Sequence, residues 1–248
     1  METYQHRKGW LSKSQIQLFL QCPFKWKCIY IDELPQVVSS QRERGVDIHK
    51  QIENFYKDSE VVTPEGKHPI IVAKKEKMLN SSFYNFEKER IKSCVDVNGK
   101  FDEKYFKPLH QELKINNEEL RLRGIIDAIY INPKDDGIII IDWKSGKYRK
   151  NEIDNHRFEL ALYKELYERE YKQKVSYWGI FWVDANKLFF EKVDQKYVDK
   201  MLVTVKDVRE KIENLECNPK PNFYCQYCEF QDKCLTCNSQ EKLVSLEK

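Results

Sequence analysis

The sequence predicts an α/β or α+β core preceded by a helical part. Two observations predict that class. Periodic segments follow the order helices, three strands, a helix, two strands and a last helix. The run Ile138-Ile139-Ile140-Ile141 has no room for a solvent face and reads as a short strand buried on both sides. At its exit stand Asp142 and Lys144, two apart and so on one side of the strand, followed by Gly146.

The chain has 248 residues, enough for one large domain or a domain with an appendage. It is 41% hydrophobic and 33% charged, the profile of a soluble globular protein. No apolar run approaches the roughly 18 residues that span a membrane. Met1 to Trp10 is polar and mixed in charge, unlike a signal peptide, so an intracellular, cytoplasmic protein is expected (host cytoplasm if the source is viral). A net charge of +3 does not mark a nucleic-acid binder. Phosphate contacts would have to come from local clusters such as Arg42-Glu43-Arg44, Lys74-Lys75 and Lys147-Tyr148-Arg149-Lys150, each of which taken alone is a solvated surface.

Ser12 or Ser14 can cap a first helix through Ile16, Leu18, Phe19 and Leu20, which stops at Cys22-Pro23 because the residue before proline avoids helical geometry. Phe24, Trp26, Ile29 and Tyr30 anchor a second packed turn. Gln41 to Lys57 reads as an amphipathic helix with Gly45 and His49 on one face. Val61 to Pro69 reads as a turn-rich connection, Ile70 to Cys94 as a longer helix, and Asp96 to Gly99 as its break. Tyr105 to Ile115 and Glu119 to Ile131 read as strands around Asn116-Asn117. After a turn at Asn132 to Gly137, the isoleucine strand completes an antiparallel meander. A helix over Asn151 to Tyr171 follows, then strands at Val175 to Val183 and Leu188 to Val193, then a helix over Val198 to Leu215. Cys217 to Cys237 has little periodicity, and Asn238 to Lys248 reads as a frayed polar end.

Asp127 lies inside an apolar run, where an unpaired carboxylate is costly and a metal is an economical partner. Pairing of the strands around Pro133 to Asp136 would bring it near Asp142, and two such carboxylates repel unless a cation lies between them. Oxygen ligands suit Mg²⁺ or Mn²⁺. Lys144 could hold a scissile phosphate or orient and deprotonate a water. The plain alternative pairs Asp142 with Lys144 at a strand end. His49 is a further candidate ligand, although a lone histidine on such a helix is usually a core-edge residue. Glu112 could approach the site, but an exposed strand position is its simpler reading.

Eight cysteines suggest metal binding rather than disulfides in an intracellular chain. Cys225-x2-Cys228-x5-Cys234 can hold one metal centre through a tight turn. Cys237 is the local choice of fourth ligand and Cys22 the distant one. Spacing alone does not separate a Zn²⁺ ribbon from an iron–sulfur cluster.

The ordered set Gly45-x3-His49, Gly124-Ile125-Ile126-Asp127, Asp142-Trp143-Lys144-Ser145-Gly146 and Glu159-x3-Tyr163 resembles the PD-(D/E)XK nuclease superfamily. Within it, the chain is similar to the RecB-like branch of recombination-repair nucleases, including the AddB/RecB-type nuclease domain, and to the iron–sulfur exonuclease of CRISPR adaptation modules. The resemblance runs from about residue 11 to 237. It implies a restriction-endonuclease-like core, a central mixed β-sheet flanked by helices. The implied division is 1–100 for the helical part with Cys22 and His49, 101–215 for the nuclease core, and 216–248 for a cysteine-rich segment and tail. By resemblance His49, Asp127 and Asp142 ligate Mg²⁺ or Mn²⁺, with the Trp143 carbonyl as a further candidate, and Lys144 assists the attacking water. The family's Gln-x3-Tyr motif contacts the DNA backbone. Tyr163 fits it, but Glu159 replaces the glutamine and is an awkward phosphate contact that could instead help with metal or point elsewhere. Lys147 is a further DNA-contact candidate.

Ser12-x-Ser14 and Cys22-Pro23-Phe24 also resemble the N-terminal segment of the iron–sulfur members. This implies a [4Fe–4S] cluster on Cys22, Cys225, Cys228 and Cys234, with Cys217 and Cys237 spare and Cys28 and Cys94 as small buried hydrophobes. Such a cluster would tie the first helix to the tail as a clasp. The implied function is a metal-dependent DNA nuclease, expected to be an exonuclease acting on single strands or DNA ends, in recombination (including that of phage), repair or CRISPR adaptation, with protein partners there. Tyr148, Tyr163, Trp178 and Trp182 could stack single strands, though such rings are more often core. The rival is a DNA- or protein-binding module on a nuclease fold that does not cut.

Overall fold

The computed structural model describes residues 9–36, 40–65, 67–73, 81–96 and 98–236. Lys74-Lys75, Cys237 and the 238–248 end lie outside the described residues. The chain forms two compact units. One takes the described residues of Met1–Val38, Glu118–Arg123 and Asp199–Lys248, the other those of Ser39–Asn117 and Gly124–Val198.

In the first unit, β1 (Leu11–Ser12) leads into α1 (Lys13–Gln21). Ser12 caps the helix reciprocally: its Oγ accepts the Gln15 N–H at 3.3 Å and Gln15 Oε1 accepts the Ser12 N–H at 2.8 Å. Cys22 is extended (φ −158°, ψ 105°) ahead of Pro23, which opens α2 (Pro23–Tyr30) at its first position. β1 pairs in parallel with Leu122–Arg123. The tail lies on this unit's helices. Lys220 Nζ donates to the Leu20 carbonyl at 2.7 Å and Asn222 Nδ2 to that of Gln21 at 3.1 Å. Phe230 packs with Cys28 and Ile29, with Cys228 beside them.

In the second unit, α3 (Ser40–Asp58) is followed by β2 (Ser59–Val62) and β3 (Ile70–Ala73), which pair antiparallel. The turn-rich connection expected over Val61 to Pro69 is found from residue 63 on, between β2 and β3, whereas the long helix expected from Ile70 is corrected: the β-branched run Ile70-Ile71-Val72 favours a strand, and within 70–94 helix is described in α4 (Ser81–Arg90) and the 3-10 turn Ile91–Ser93. Tyr105 lies not in a strand but in the helical turn α5 (Glu103–Phe106), capped by Asp102. β4 (His110–Asn117) carries both asparagines expected in the turn, and the chain reverses before β5 (Leu122–Ile131).

β6 (Ile138–Lys144), β7 (Val175–Trp182) and β8 (Lys187–Lys192) lie beside β5 in that order, and β4 pairs with β5. β5–β6 and β7–β8 are antiparallel and β6–β7 parallel, so the sheet is mixed. α6 (Ile153–Tyr171) packs against β4, β6 and β7. On the opposite face Ile48, Ile52, Phe55 and Tyr56 of α3 share a core with Ala128, Tyr130, Ile141, Trp143 and Phe181. The isoleucine strand is therefore covered on both sides, as its composition demanded. α7 (Gln195–Glu213) is amphipathic, and its Arg209 donates to the carbonyls of Gly9 and Leu120 at 2.9 and 2.8 Å.

One buried polar network fixes the α3 side of the core. Glu87, with no exposed surface, accepts from Arg90 Nε and Nη2 at 2.9 and 2.7 Å. Arg90 also donates to the carbonyls of Tyr105 (2.9 Å) and Phe106 and lies 4.6 Å over the Tyr130 ring. Tyr130 in turn hydrogen-bonds Tyr56 of α3 at 2.7 Å. Removing Arg90 would strand a buried carboxylate. We expect Arg90→Ala to cost about 3–5 kcal/mol in urea unfolding; a loss below about 1 kcal/mol would show that water reaches Glu87.

Candidate active site

The site begins with strand register. Ala128 faces Ile141 across the β5–β6 ladder. The ladder ends there, and the next residues on the two strands are Asp127 and Asp142, close enough for the charge of one to act on the other. Both are buried, at 7% and 2% exposure. The Trp143 N–H donates to Asp127 Oδ2 at 2.7 Å. Burial, and then the Asp142 charge, hold Asp127 well above the usual carboxylate range, against the smaller downward pull of His49 and Lys144.

Lys144 leaves β6 on the Asp142 side, the side covered by α6. Its Nζ lies 2.7 Å from Asp142 Oδ2 and 3.0 Å from Glu159 Oε2. Burial alone would discharge it, but Asp142, Glu159 and Asp127 together raise its pKa above the usual lysine value. Glu159 is 2% exposed. It also accepts the Tyr163 O–H at 3.2 Å, and His156 Nδ1 lies 3.8 Å away. Glu159 therefore faces the lysine, and Lys147 is exposed beyond the strand end.

His49 arrives from α3. Its Nε2 lies 3.0 Å from the Trp143 carbonyl, and its Nδ1 lies 3.2 Å from Glu112 Oε1 and 3.4 Å from Asp127 Oδ1. Burial would lower its pKa, but the Glu112 hydrogen bond and the Asp127 charge outweigh it and push it up to about 9. Glu112 belongs to β4 yet has a left-handed backbone (φ +46°). Such strain in a non-glycine residue gathers at functional sites. From the sequence Glu112 could approach the site, with an exposed strand position as its simpler reading; the structure brings it to His49 through this local turn, of which strand alternation carries no sign.

The surrounding backbone explains two motif glycines. A Cβ on Gly124 would stand 3.0 Å from the Tyr163 ring and 3.2 Å from Leu166. Gly146 has φ +101°, and its N–H donates to Asp184 Oδ2 at 2.8 Å. Asp184 Oδ1 accepts from Arg44 at 2.8 Å, so one carboxylate ties the loop after β6 to α3. In the sequence Asp184 is only part of a turn. Trp178 and Trp182 are buried, which leaves neither free to stack a base; the Tyr148 and His156 rings lie 5.0 and 5.5 Å from Trp182.

Among the described residues, His49, Glu112 and Asp127 are the group of three whose ligand atoms lie within 4.8 Å of one another. One imidazole and two carboxylates, with a carbonyl alongside, form a donor set that fits Mg²⁺ or Mn²⁺. Cys22, Cys225, Cys228 and Cys234 all fall in the first unit, and no three of their sulfurs meet that distance. Cys234 is buried, and Cys225 Sγ accepts the Asn222 N–H at 3.3 Å.

The sequence model of the PD-(D/E)XK nuclease superfamily matches residues 10–235. The chain belongs to that superfamily. No curated protein matches it. Among solved structures, a candidate exonuclease from Eubacterium rectale superposes with a TM-score of 0.49 at 13% identity, over 92% of this chain and 90% of that one. The protein designated SSO0001 gives a TM-score of 0.46 at 14% identity, over 91% and 85%. Among the described residues no helix is long and apolar enough to cross a membrane.

Proposed function

We propose that this superfamily member is a metal-dependent DNA nuclease that hydrolyses phosphodiester bonds. The observation that carries the reading is the meeting of His49, Glu112 and Asp127 beside the Asp142–Lys144 strand end. His49, Asp127 and Asp142 would hold Mg²⁺ or Mn²⁺, with Glu112 as an added ligand and the Trp143 carbonyl adjacent. The ion would supply Lewis-acid charge on the phosphate and acidify a water. Lys144, kept cationic by the carboxylates around it, is arranged to donate to the charge that builds on the phosphate. Glu159 and Tyr163 position that lysine, a different task from the backbone contact expected of this motif. Action on single strands or free ends as an exonuclease, and a place in recombination, repair or CRISPR adaptation with protein partners there, rest on the RecB-like resemblance.

Asp142→Ala and Lys144→Ala should each lower Mg²⁺- or Mn²⁺-dependent cleavage of end-labelled single and double strands by at least about a hundredfold, with DNA binding retained. Unchanged cleavage in both variants would sink the assignment. Tight binding by the parent protein without cleavage in either metal would favour the non-cutting module instead.

In the first unit we propose a [4Fe–4S] cluster on Cys22, Cys225, Cys228 and Cys234. The hydrogen bonds that lay the tail on Leu20 and Gln21, immediately before Cys22, support it, as does Cys228 packing beside Cys28. The cluster would act as a staple between distant parts of the chain. The purified protein should be brown and contain iron and acid-labile sulfide, both lost in Cys22→Ser; stoichiometric zinc without sulfide would show a zinc ribbon.

A further inference from the structure

A concave site lies at the opposite end of the sheet from Lys144. It is a cavity of about 780 Å³ lined by Lys164 and Glu168 of α6, the 172–174 connection, the start of β7, Lys192 at the end of β8 and Asp135 of the β5–β6 turn. Ile138 pairs with Val175 at one end of the β6–β7 register and Lys144 with Trp182 at the other. At about 3.3 Å per residue, the cavity lies roughly 20 Å along the strands from Lys144.

Each oxygen of the two lining carboxylates already accepts a hydrogen bond. Glu168 Oε2 takes Lys164 Nζ at 2.9 Å and its Oε1 takes the Val175 N–H at 2.8 Å. Asp135 Oδ1 takes the Gly137 N–H at 3.0 Å and its Oδ2 the Tyr177 O–H at 2.5 Å. The donors are not used up. Lys172 and Lys174 have no ion pair among the described residues, and Lys192 has none within contact distance, although its charge acts on Asp135. Lys164, itself 6% exposed, spends two of its three N–H donors on Glu165 and Glu168 and has one more to give.

With four lysines against the carboxylates of Asp135 and Glu168, the lining is net cationic and favours an anion. Several ammoniums around one cavity match a group with two or more negative charges better than a single carboxylate. The site is open on one side, and its volume is large enough to seat a small ligand. We propose that this cavity binds a small phosphorylated molecule of nucleotide size, at a site separate from the metal seat. The proposal does not depend on the nuclease reading.

The test is isothermal titration calorimetry of the full chain with deoxyadenosine triphosphate, in excess EDTA and near-physiological salt. EDTA removes divalent metal from the other site, and salt screens long-range attraction between exposed charges. Saturable binding is expected, weakened at least about tenfold when Lys172→Gln, Lys174→Gln and Lys192→Gln are combined. These lysines are exposed, so the combined variant should keep its fold by circular dichroism. The proposal is overturned by the absence of saturable binding or by equal binding in the triple variant. It is also overturned if a short single-stranded oligonucleotide, but not the triphosphate, binds in a way that depends on these lysines, which would make the cavity part of a strand track.

Discussion

Two carboxylates held side by side on neighbouring core strands are the constraint from which the second unit's architecture follows. The β5–β6 ladder ends next to Asp127 and Asp142, and neither can turn to water from positions almost fully buried. Left alone, such a pair would take up a proton or pull the strands apart. The fold offsets this only in part, with the Lys144 ammonium on Asp142 and the Trp143 N–H and the His49 ring on Asp127, and Asp127 still stands well above the usual carboxylate range. In the proposed function, Lys144 and His49 are also the groups that meet the phosphate and the metal, so the same side chains would serve stability and chemistry.

That compensation needs both faces of the sheet to be held in place. On one face, α3 must present His49 at a fixed height above Trp143. Farther along the same helix Tyr56 bonds Tyr130, itself stacked under Arg90, and at the helix's other end Arg44 meets Asp184, which also fixes Gly146. On the other face, α6 brings Glu159 to Lys144, and the missing side chain of Gly124 makes room for the Tyr163 ring. The site is thus assembled from elements that the chain visits far apart, with the buried Glu87–Arg90 pair anchoring one side.

Much of this was legible in the residues because it rests on periodicity. Four consecutive isoleucines could only be a two-sided strand, and a turn at Asn132 to Gly137 could only bring Asp127 back toward Asp142. The Cys22-Pro23 corner followed from proline sterics. What the sequence hid has physical reasons too. Ile70 to Ala73 became a strand because β-branched residues outweighed the charged helical pattern that follows them. Glu112 joined His49 through a left-handed backbone inside a strand, which no alternation rule foresees. Asp184 looked like an ordinary turn residue, and its two partners are distant in sequence. Glu159 was legible as an acid out of place; only the geometry showed that a lysine is its counterpart.

The proposed function requires first a metal seat of His49, Asp127 and Asp142, with Glu112 as an added ligand. Its most direct measurement is Mn²⁺ titration followed by electron paramagnetic resonance of the free ion, with no DNA and no turnover. The parent protein should bind Mn²⁺ saturably, and Glu112→Gln and Asp127→Asn should each weaken that binding by at least about tenfold, while Lys144→Met, which removes a competing cation from Asp142, should not. Mn²⁺ binding that is unchanged in both carboxylate variants would contradict a metal site at this position.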